Sequence, residues 1–394
     1  MTTISNLPKD LVEEILLKVP ITCLGAVRST CKGWNALSKE RILCKAEAKH
    51  QFVGFTMKKY KLCSLRFDLH GTFNKIELVD PSIKEIGNNL LNQVKISKVF
   101  HCDGLLLCVT KEDNARLVVW NPYLGQTRWI QPRNSSVEQQ ILEYEIYDLS
   151  SNSWRVLDIT PTWEIEFYRR CVSLKGNTYL FAKKIYEEGG EYQDHHRQDC
   201  LLCFDFTTES FGQFLPLPFE YYIYDAGGLS SIGDEKLAAL YQHPISTEVE
   251  IWVTTMIEPN AVSWNFFLKF VMGPHCGYDF HVPYDVGSFF IDEEKKVAVV
   301  IRYDEFEKSI TGHYKEVAYI FRESGNVKKV HLGEAVPHIQ GGSLNLNYLL
   351  VCCSSYVPSL VQINQIAGFK NEREEDEEAN QQTKRRRLPL LINQ

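Results

Sequence analysis

Apolar runs return at a constant step through this chain: Gly176-Asn-Thr-Tyr-Leu-Phe, Asp234-Glu-Lys-Leu-Ala-Ala-Leu and Asp292-Glu-Glu-Lys-Lys-Val-Ala-Val-Val begin 58 residues apart. Asp103-Gly-Leu-Leu-Leu-Cys and Asn345-Leu-Asn-Tyr-Leu-Leu-Val have the same form. Between these runs lie hairpins with an aromatic on the far arm, as in Ile146-Tyr-Asp-Leu-Ser-Ser-Asn-Ser-Trp and Cys203-Phe-Asp-Phe-Thr-Thr-Glu-Ser-Phe. Short apolar or alternating runs bounded by turn residues are strands, and a long fixed period holding several of them is the pattern of a propeller blade. Residues 51–368, divided by a blade of roughly 50 residues, give about six blades. A ring of blades leaves only short strand edges, which suits a chain with no long edge strand. A two-sheet sandwich is the alternative. The expected fold class is mainly β with a small N-terminal all-α module, and 44% hydrophobic and 12% aromatic content are enough for a packed core.

Residues 1–49 follow a helical period instead. Asn6 is placed to cap a helix, and Pro8 suits its first turn, where a backbone N–H has no partner anyway. Leu7, Leu11, Ile15 and Val19 fall on one face, Leu16 widens it, and Pro20 stops the helix. Thr22 can cap a second short helix with Leu24, Val27 and Arg28; a third starts near Thr30 and carries Cys31 and Trp34. Three helices this short cannot bury all their apolar faces against one another. The module therefore completes its core on a partner or caps the domain behind it. Ser38–Ala48 reads as a helical linker.

The segment Leu7-Pro-Lys-Asp-Leu-Val-Glu-Glu-Ile-Leu-Leu-Lys-Val-Pro20 resembles the opening of the F-box family, and Leu24 with Val27-Arg-Ser-Thr-Cys-Lys-Gly-Trp-Asn35 resembles its close. The resemblance implies a three-helix motif that docks on a Skp-family adaptor and, through it, on a cullin and its RING subunit. It assigns Leu7, Pro8, Leu11, Ile15, Leu16, Val19, Pro20, Leu24, Val27, Cys31 and Trp34 to the docking face or to the core of the motif.

A second resemblance covers most of the remaining chain. Asp103–Cys108, Trp120-Asn-Pro-Tyr-Leu-Gly-Gln-Thr-Arg-Trp129, Tyr144–Trp154 and Val172-Ser-Leu-Lys-Gly-Asn-Thr-Tyr179 are similar to the plant F-box-associated domain of the first type, a kelch-like interaction domain. The domains this implies are 1–49 (F-box and linker helix), 50–369 (β-propeller-like, holding an unknown target protein) and an unstructured tail, 370–394. One departure stands out. Between Trp129 and Tyr144 the family carries a longer stretch with a Gly-Tyr turn and a Tyr-Lys strand, whereas this chain has only Ile130–Glu143. Most of one hairpin is missing, so one blade is expected to be incomplete or rebuilt.

Intrinsic chemistry is sparse. The formal charge of -7 gives no reason to expect nucleic acid or an anionic membrane. The opening residues lack the basic and apolar regions of a secretory signal, and no apolar run is long enough to span a bilayer, so a soluble intracellular protein with reduced cysteines is expected. His195, His196, Cys200 and Cys203 are zinc-type ligands. Cys200-Leu-Leu-Cys-Phe-Asp-Phe reads as a strand, however, whose alternation would not converge the two thiols. With no nucleophile, metalloprotease or nucleotide-binding fingerprint in the sequence, neither a cofactor nor an enzymatic activity is expected.

For target binding the mixed aromatic and histidine segment His275, Tyr278, Phe280, His281 and Tyr284 has the composition of an interface, although its aromatics could equally fold back on the core. In the tail, Lys384, Arg385, Arg386 and Arg387 follow an acidic stretch and form a nuclear import candidate or a plain solvated run, giving a nuclear and/or cytoplasmic expectation. The function expected is recruitment of a target to a ubiquitin ligase, with rate gained from proximity. An adaptor-binding scaffold or decoy, and a small-ligand or glycan-binding propeller, are the rival readings.

Overall fold

The computed structural model describes residues 51–72, 75–86, 94–111, 116–130, 132, 144–165, 171–184, 199–220, 226–233, 235–243 and 246–271. It further describes 288–308, 314–325, 327–335, 339–340, 343–344, 350–351, 359, 361–363 and 391–393, with 11, 12, 15 and 34 at the N-terminus. The linker helix expected at Ser38–Ala48 and residues 364–390 lie outside them.

The strands run in chain order. First come β1 (Gln51–Lys58), β2 (Lys61–Thr72) and β3 (Lys75–Glu85), then β4 (Ile96–Cys102), β5 (Leu105–Thr110), β6 (Leu117–Asn121) and β7 (Gln126–Ile130). A short pair follows, β8 (Tyr144–Asp148) and β9 (Ser153–Leu157), and then β10 (Trp163–Glu164), β11 (Val172–Leu174), β12 (Asn177–Lys184), β13 (Asp199–Asp205) and β14 (Ser210–Phe211). Two long sets come next: β15 (Ala226–Ile232), β16 (Lys236–Gln242), β17 (Glu248–Glu258) and β18 (Ala261–Val271), then β19 (Ser288–Asp292), β20 (Val297–Lys308), β21 (Tyr314–Arg322) and β22 (Val327–Ala335). The chain ends with β23 (Ile339–Gln340), β24 (Ser343–Leu344), β25 (Leu350–Val351) and β26 (Leu391–Asn393).

Three antiparallel meanders, β4-β5-β6-β7, β15-β16-β17-β18 and β19-β20-β21-β22, are four-stranded sheets, and β25-β1-β2-β3 is a fourth. A five-stranded sheet is built on β10-β12-β13-β14 with β11, and a three-stranded one is ordered β26-β8-β9. The 58-residue step is one sheet per period. The domain is a propeller and not a sandwich.

Burial explains the arrangement. Every residue of β6 is buried, as are all but one of β5, because both faces of an inner strand meet a neighbouring sheet. In β9 no residue is buried, since it is the outer edge of its sheet. The apolar clusters sit between sheets. Phe55 and Met57 meet Leu106, Cys108, Val118 and Trp120, Leu107 and Val119 meet Tyr147 and Leu149, and Ile146 meets Phe204. Phe181 and Cys203 then meet Leu237 and Ala239, and Leu240 and Ile251 meet Val300 and Phe321. The tight turn between β4 and β5 places Asp103 at φ 44° and Gly104 at φ 75°, and that between β11 and β12 places Lys175 at 53° and Gly176 at 71°. Both residues of each turn are left-handed, the geometry that matches the twist of the flanking strands.

Two ties close the ring. Strand β25, from near the end of the described chain, adds antiparallel to β1 with Phe55 opposite Val351. Across the same seam, Thr56 Oγ1 donates to Glu316 Oε1 at 3.1 Å, and Lys58 forms an ion pair with Glu316, which is buried.

Of the stretch between Trp129 and Tyr144 only Ile130 and Pro132 are described, and the sheet that follows has two strands of its own, β8 and β9. Strands β4 and β11, which belong to the sheets on either side of it, touch each other directly; Cys102 Sγ and Ser173 Oγ lie 3.0 Å apart across that contact. On the inner side of β8 sits β26, running parallel, with Leu391 opposite Ile146 and Asn393 opposite Asp148. The tail expected to be unstructured thus ends in a strand, because β8 would otherwise present unpaired backbone groups next to a buried core.

Asn121 fastens the returning chain. Its Nδ2 donates to the Ser359 carbonyl at 2.9 Å and to the Val361 carbonyl at 3.0 Å, while its Oδ1 accepts the amides of Tyr123 and Leu124, both at 3.0 Å. Ile363 is buried beside Leu117 and Ile130 as a result. An Asn121→Asp substitution keeps the turn acceptor but faces two carbonyls with a carboxylate. We expect it to lower stability by about 2–4 kcal/mol, since buried carbonyls left without donors cost roughly 1–3 kcal/mol each; the midpoint of urea unfolding measures it.

Candidate functional site

Of the proposed docking residues, Leu11, Ile15 and Trp34 are described, and all three are helical. Leu11 and Ile15 are 47% and 39% exposed, whereas Val12 between them is buried at 5%. A spacing of four puts Leu11 and Ile15 one turn apart on the same face. That face offers two branched aliphatic side chains to the outside while Val12 is held in the protein. Trp34 is half-buried. Leu7, Pro8, Leu16, Val19, Pro20, Leu24, Val27 and Cys31 lie outside the described residues, as do His275, Tyr278, Phe280, His281, Tyr284 and the basic run Lys384–Arg387.

Among the described residues, the propeller's most apolar exposed feature is the β17–β18 hairpin. Trp252 and Phe266 are cross-strand partners, their rings 5.3 Å apart edge to face. Phe266, Met256 and Val271 are exposed. Charged residues lie beside the aromatic pair, between it and Val271: Lys269 Nζ lies 2.7 Å from Glu248 and 3.7 Å from Glu250, and the Trp252 indole N–H donates to Glu250 at 3.3 Å. Exposed aromatic side chains next to charged ones are a composition common at protein-binding surfaces. Sequence reading passed over this hairpin, although the adjacent pairs Ile251-Trp252 and Phe266-Phe267 signalled it. Phe266 is exposed while Phe267 is buried, and both pairs sit at the register shift between Ile251 and Trp252.

The cysteine–histidine pattern does not assemble on β13. Cys203 packs with Tyr179, Phe181 and Leu237 on one face, whereas Cys200 packs with Leu180, Ala182 and Leu202 on the other. Cys200 Sγ donates to the Ala182 carbonyl at 3.2 Å. The thiols point into different inter-sheet cores, so they cannot share one ion. His195 and His196 lie outside the described residues. Burial pushes the thiols of Cys203, Cys200 and Cys108 up to about 12 and that of Cys171 up to about 11. Burial also draws His101 down to about 4; its Nε2 accepts the Gly104 amide at 3.2 Å. These groups are neutral near pH 7.

Comparison with known proteins agrees with this geometry. Residues 4–45 match the F-box domain, and residues 53–142 and 134–363 match the F-box associated beta propeller domain. The chain belongs to the F-box proteins with an F-box-associated propeller. The join between the two propeller matches, at 134–142, falls in the shortened stretch before β8. The putative F-box protein At3g20030 of Arabidopsis thaliana is 60% identical, covering 95% of this chain and all of that one. At5g60560, another putative F-box protein of the same plant, is 61% identical over 96% of this chain and all of its own length. The Arabidopsis F-box/kelch-repeat protein At3g13680 is 47% identical over 92% of this chain and 97% of its own. Members of this F-box family are typically non-catalytic adaptors.

Alkylation tests the thiols. With ionisation near 12, only about one thiol in ten thousand is thiolate at pH 8. Native protein treated with iodoacetamide at pH 8 should keep Cys108 and Cys203 unmodified by mass spectrometry, whereas urea-unfolded protein should be labelled at both.

Proposed function

We propose that this F-box protein recruits a target protein to a Skp–cullin–F-box ubiquitin ligase. The observation that carries the reading is the exposed Leu11–Ile15 face on a segment that matches the F-box domain. Two aliphatic side chains held outward on a helix gain stability when a partner removes them from water. In this reading the adaptor covers Leu7, Pro8, Leu11, Ile15, Leu16, Val19, Pro20, Leu24, Val27, Cys31 and Trp34 in part or whole, and brings cullin and RING subunits with it. The propeller is a ring of six blades: the four complete sheets, the five-stranded one and the rebuilt β8–β9 blade. It holds the target near a ubiquitin-loaded enzyme, so effective concentration does the work that acid–base groups do in an enzyme. The Trp252–Phe266 hairpin, with the aromatic segment 275–284 that follows it in sequence, is the target-binding surface that these residues support best.

The adaptor test is direct. Wild type should co-purify with a Skp-family adaptor, and a Leu11→Asp, Ile15→Asp double variant should lose at least 90% of it while keeping the wild-type circular dichroism. Each exposed position tolerates a charge in the free protein, yet burying that charge at an interface is costly. Retention of the adaptor by the double variant would rule out this face as the docking site.

We further propose that Lys384, Arg385, Arg386 and Arg387 direct nuclear import, leaving the protein in both nucleus and cytoplasm. Replacing the four with alanine should move a fluorescently tagged chain toward the cytoplasm in live-cell imaging; an unchanged distribution would remove the proposal.

A further inference from the structure

The blade around β8 is the place where this chain departs from its family, and the departure is filled by the chain itself. Three observations converge on it. The stretch 130–143, short by comparison with the resemblance, coincides with the join between the two family matches at 134–142. Strands β4 and β11 of the neighbouring sheets meet directly, with Cys102 and Ser173 in contact, so the innermost lane of the blade is closed off. The next lane, against β8, holds Leu391–Asn393 from the far end of the chain, parallel to β8, whereas β9 pairs with β8 antiparallel.

We propose that the inner edge of β8 is a strand-addition site for an extended, uncharged apolar peptide, and that the C-terminal Leu391–Asn393 occupies it in cis as a replaceable ligand. The edge is made for such a ligand. Ile146 is fully buried and Tyr147 nearly so, each against a different neighbouring sheet, so β8 is held rigidly from both sides. A rigid edge next to an apolar core recognises an added strand through its main chain, and takes aliphatic side chains at alternate positions. The occupant is short. Three residues in a parallel pairing form few hydrogen bonds, and parallel pairing is slightly weaker per residue, so the strand is held largely because it is tethered. The 27 positions numbered 364–390 separate it from Ile363. A tether of that length keeps the strand at an effective concentration in the millimolar range. A peptide of the same chemistry can displace it only when abundant or better matched.

As a site for targets, this edge rests on the recruitment reading; as a peptide site, it does not. Peptide binding is measured without an adaptor, so either idea can fail alone. The experiment uses full-length protein and a fluorescein-labelled Leu388–Gln394 peptide in an anisotropy titration. Ile392→Pro removes an amide from the middle of the cis strand. We expect the variant to bind the labelled peptide at least tenfold more tightly than wild type, and a peptide carrying the same proline not to bind. Equal, weak binding by wild type and a variant that still melts cooperatively would overturn the proposal. Should the proline disturb folding, Ile392→Gly gives the same comparison. Hydrogen exchange on wild type supplies a reading free of any variant: the amides of Tyr144–Asp148 that face away from β9 should be protected, and exchange there as fast as in an unpaired segment would overturn the cis pairing. A concentration-dependent dimer lost in Ile392→Pro would also overturn it, in favour of tails exchanged between two copies.

Discussion

Each sheet of this propeller is apolar on both faces, so each needs a neighbour on both sides, and the rest of the structure follows from that demand. Leu240 and Ile251 on one sheet have Val300 and Phe321 on the next; Ile146 and Tyr147, adjacent in one strand, are buried against different sheets. An open stack would leave an apolar face at each end. A ring removes the ends, provided that the first and last sheets can be joined. That requirement gives the β1–β25 pairing and the Thr56–Glu316–Lys58 contacts their importance: they link elements about 260–300 positions apart and tie together faces no local contact could hold.

The same demand accounts for the β8–β9 blade. The β8–β9 sheet has only two strands from its own stretch of chain, yet Phe204 on one side and Leu107 on the other need cover. The neighbouring inner strands close part of the gap through the Cys102–Ser173 contact, and the end of the chain supplies a strand for another part. A small sheet is thereby completed with backbone from elsewhere in the chain.

Much of the architecture was legible in the sequence because propeller blades leave a periodic trace. The runs starting at Gly176, Asp234 and Asp292 became β12, β16 and β20, and alternation along β13 foretold that Cys200 and Cys203 would face apart. Features set by distant partners left no such trace. The role of Asn121 is invisible in Trp-Asn-Pro-Tyr until the carbonyls of Ser359 and Val361 are placed beside it. Leu391–Asn393 is too short for any period to mark it as a strand. Exposure on the β17–β18 hairpin was hidden because the register shift at Ile251/Trp252 breaks the alternation that would have shown which of Phe266 and Phe267 faces outward.

Closing the ring with β25 also has a temporal side. Roughly 300 residues separate Phe55 from Val351, and a ribosome adding about 5–20 residues per second needs on the order of 15–60 s to cover that distance. Throughout that interval β1 has emerged without the strand that will border it. The N-terminal F-box segment, by contrast, leaves the ribosome before any blade does. Synthesis of this protein therefore includes a period in which its F-box segment is out while its propeller is still an open arc with an unguarded strand at its leading end.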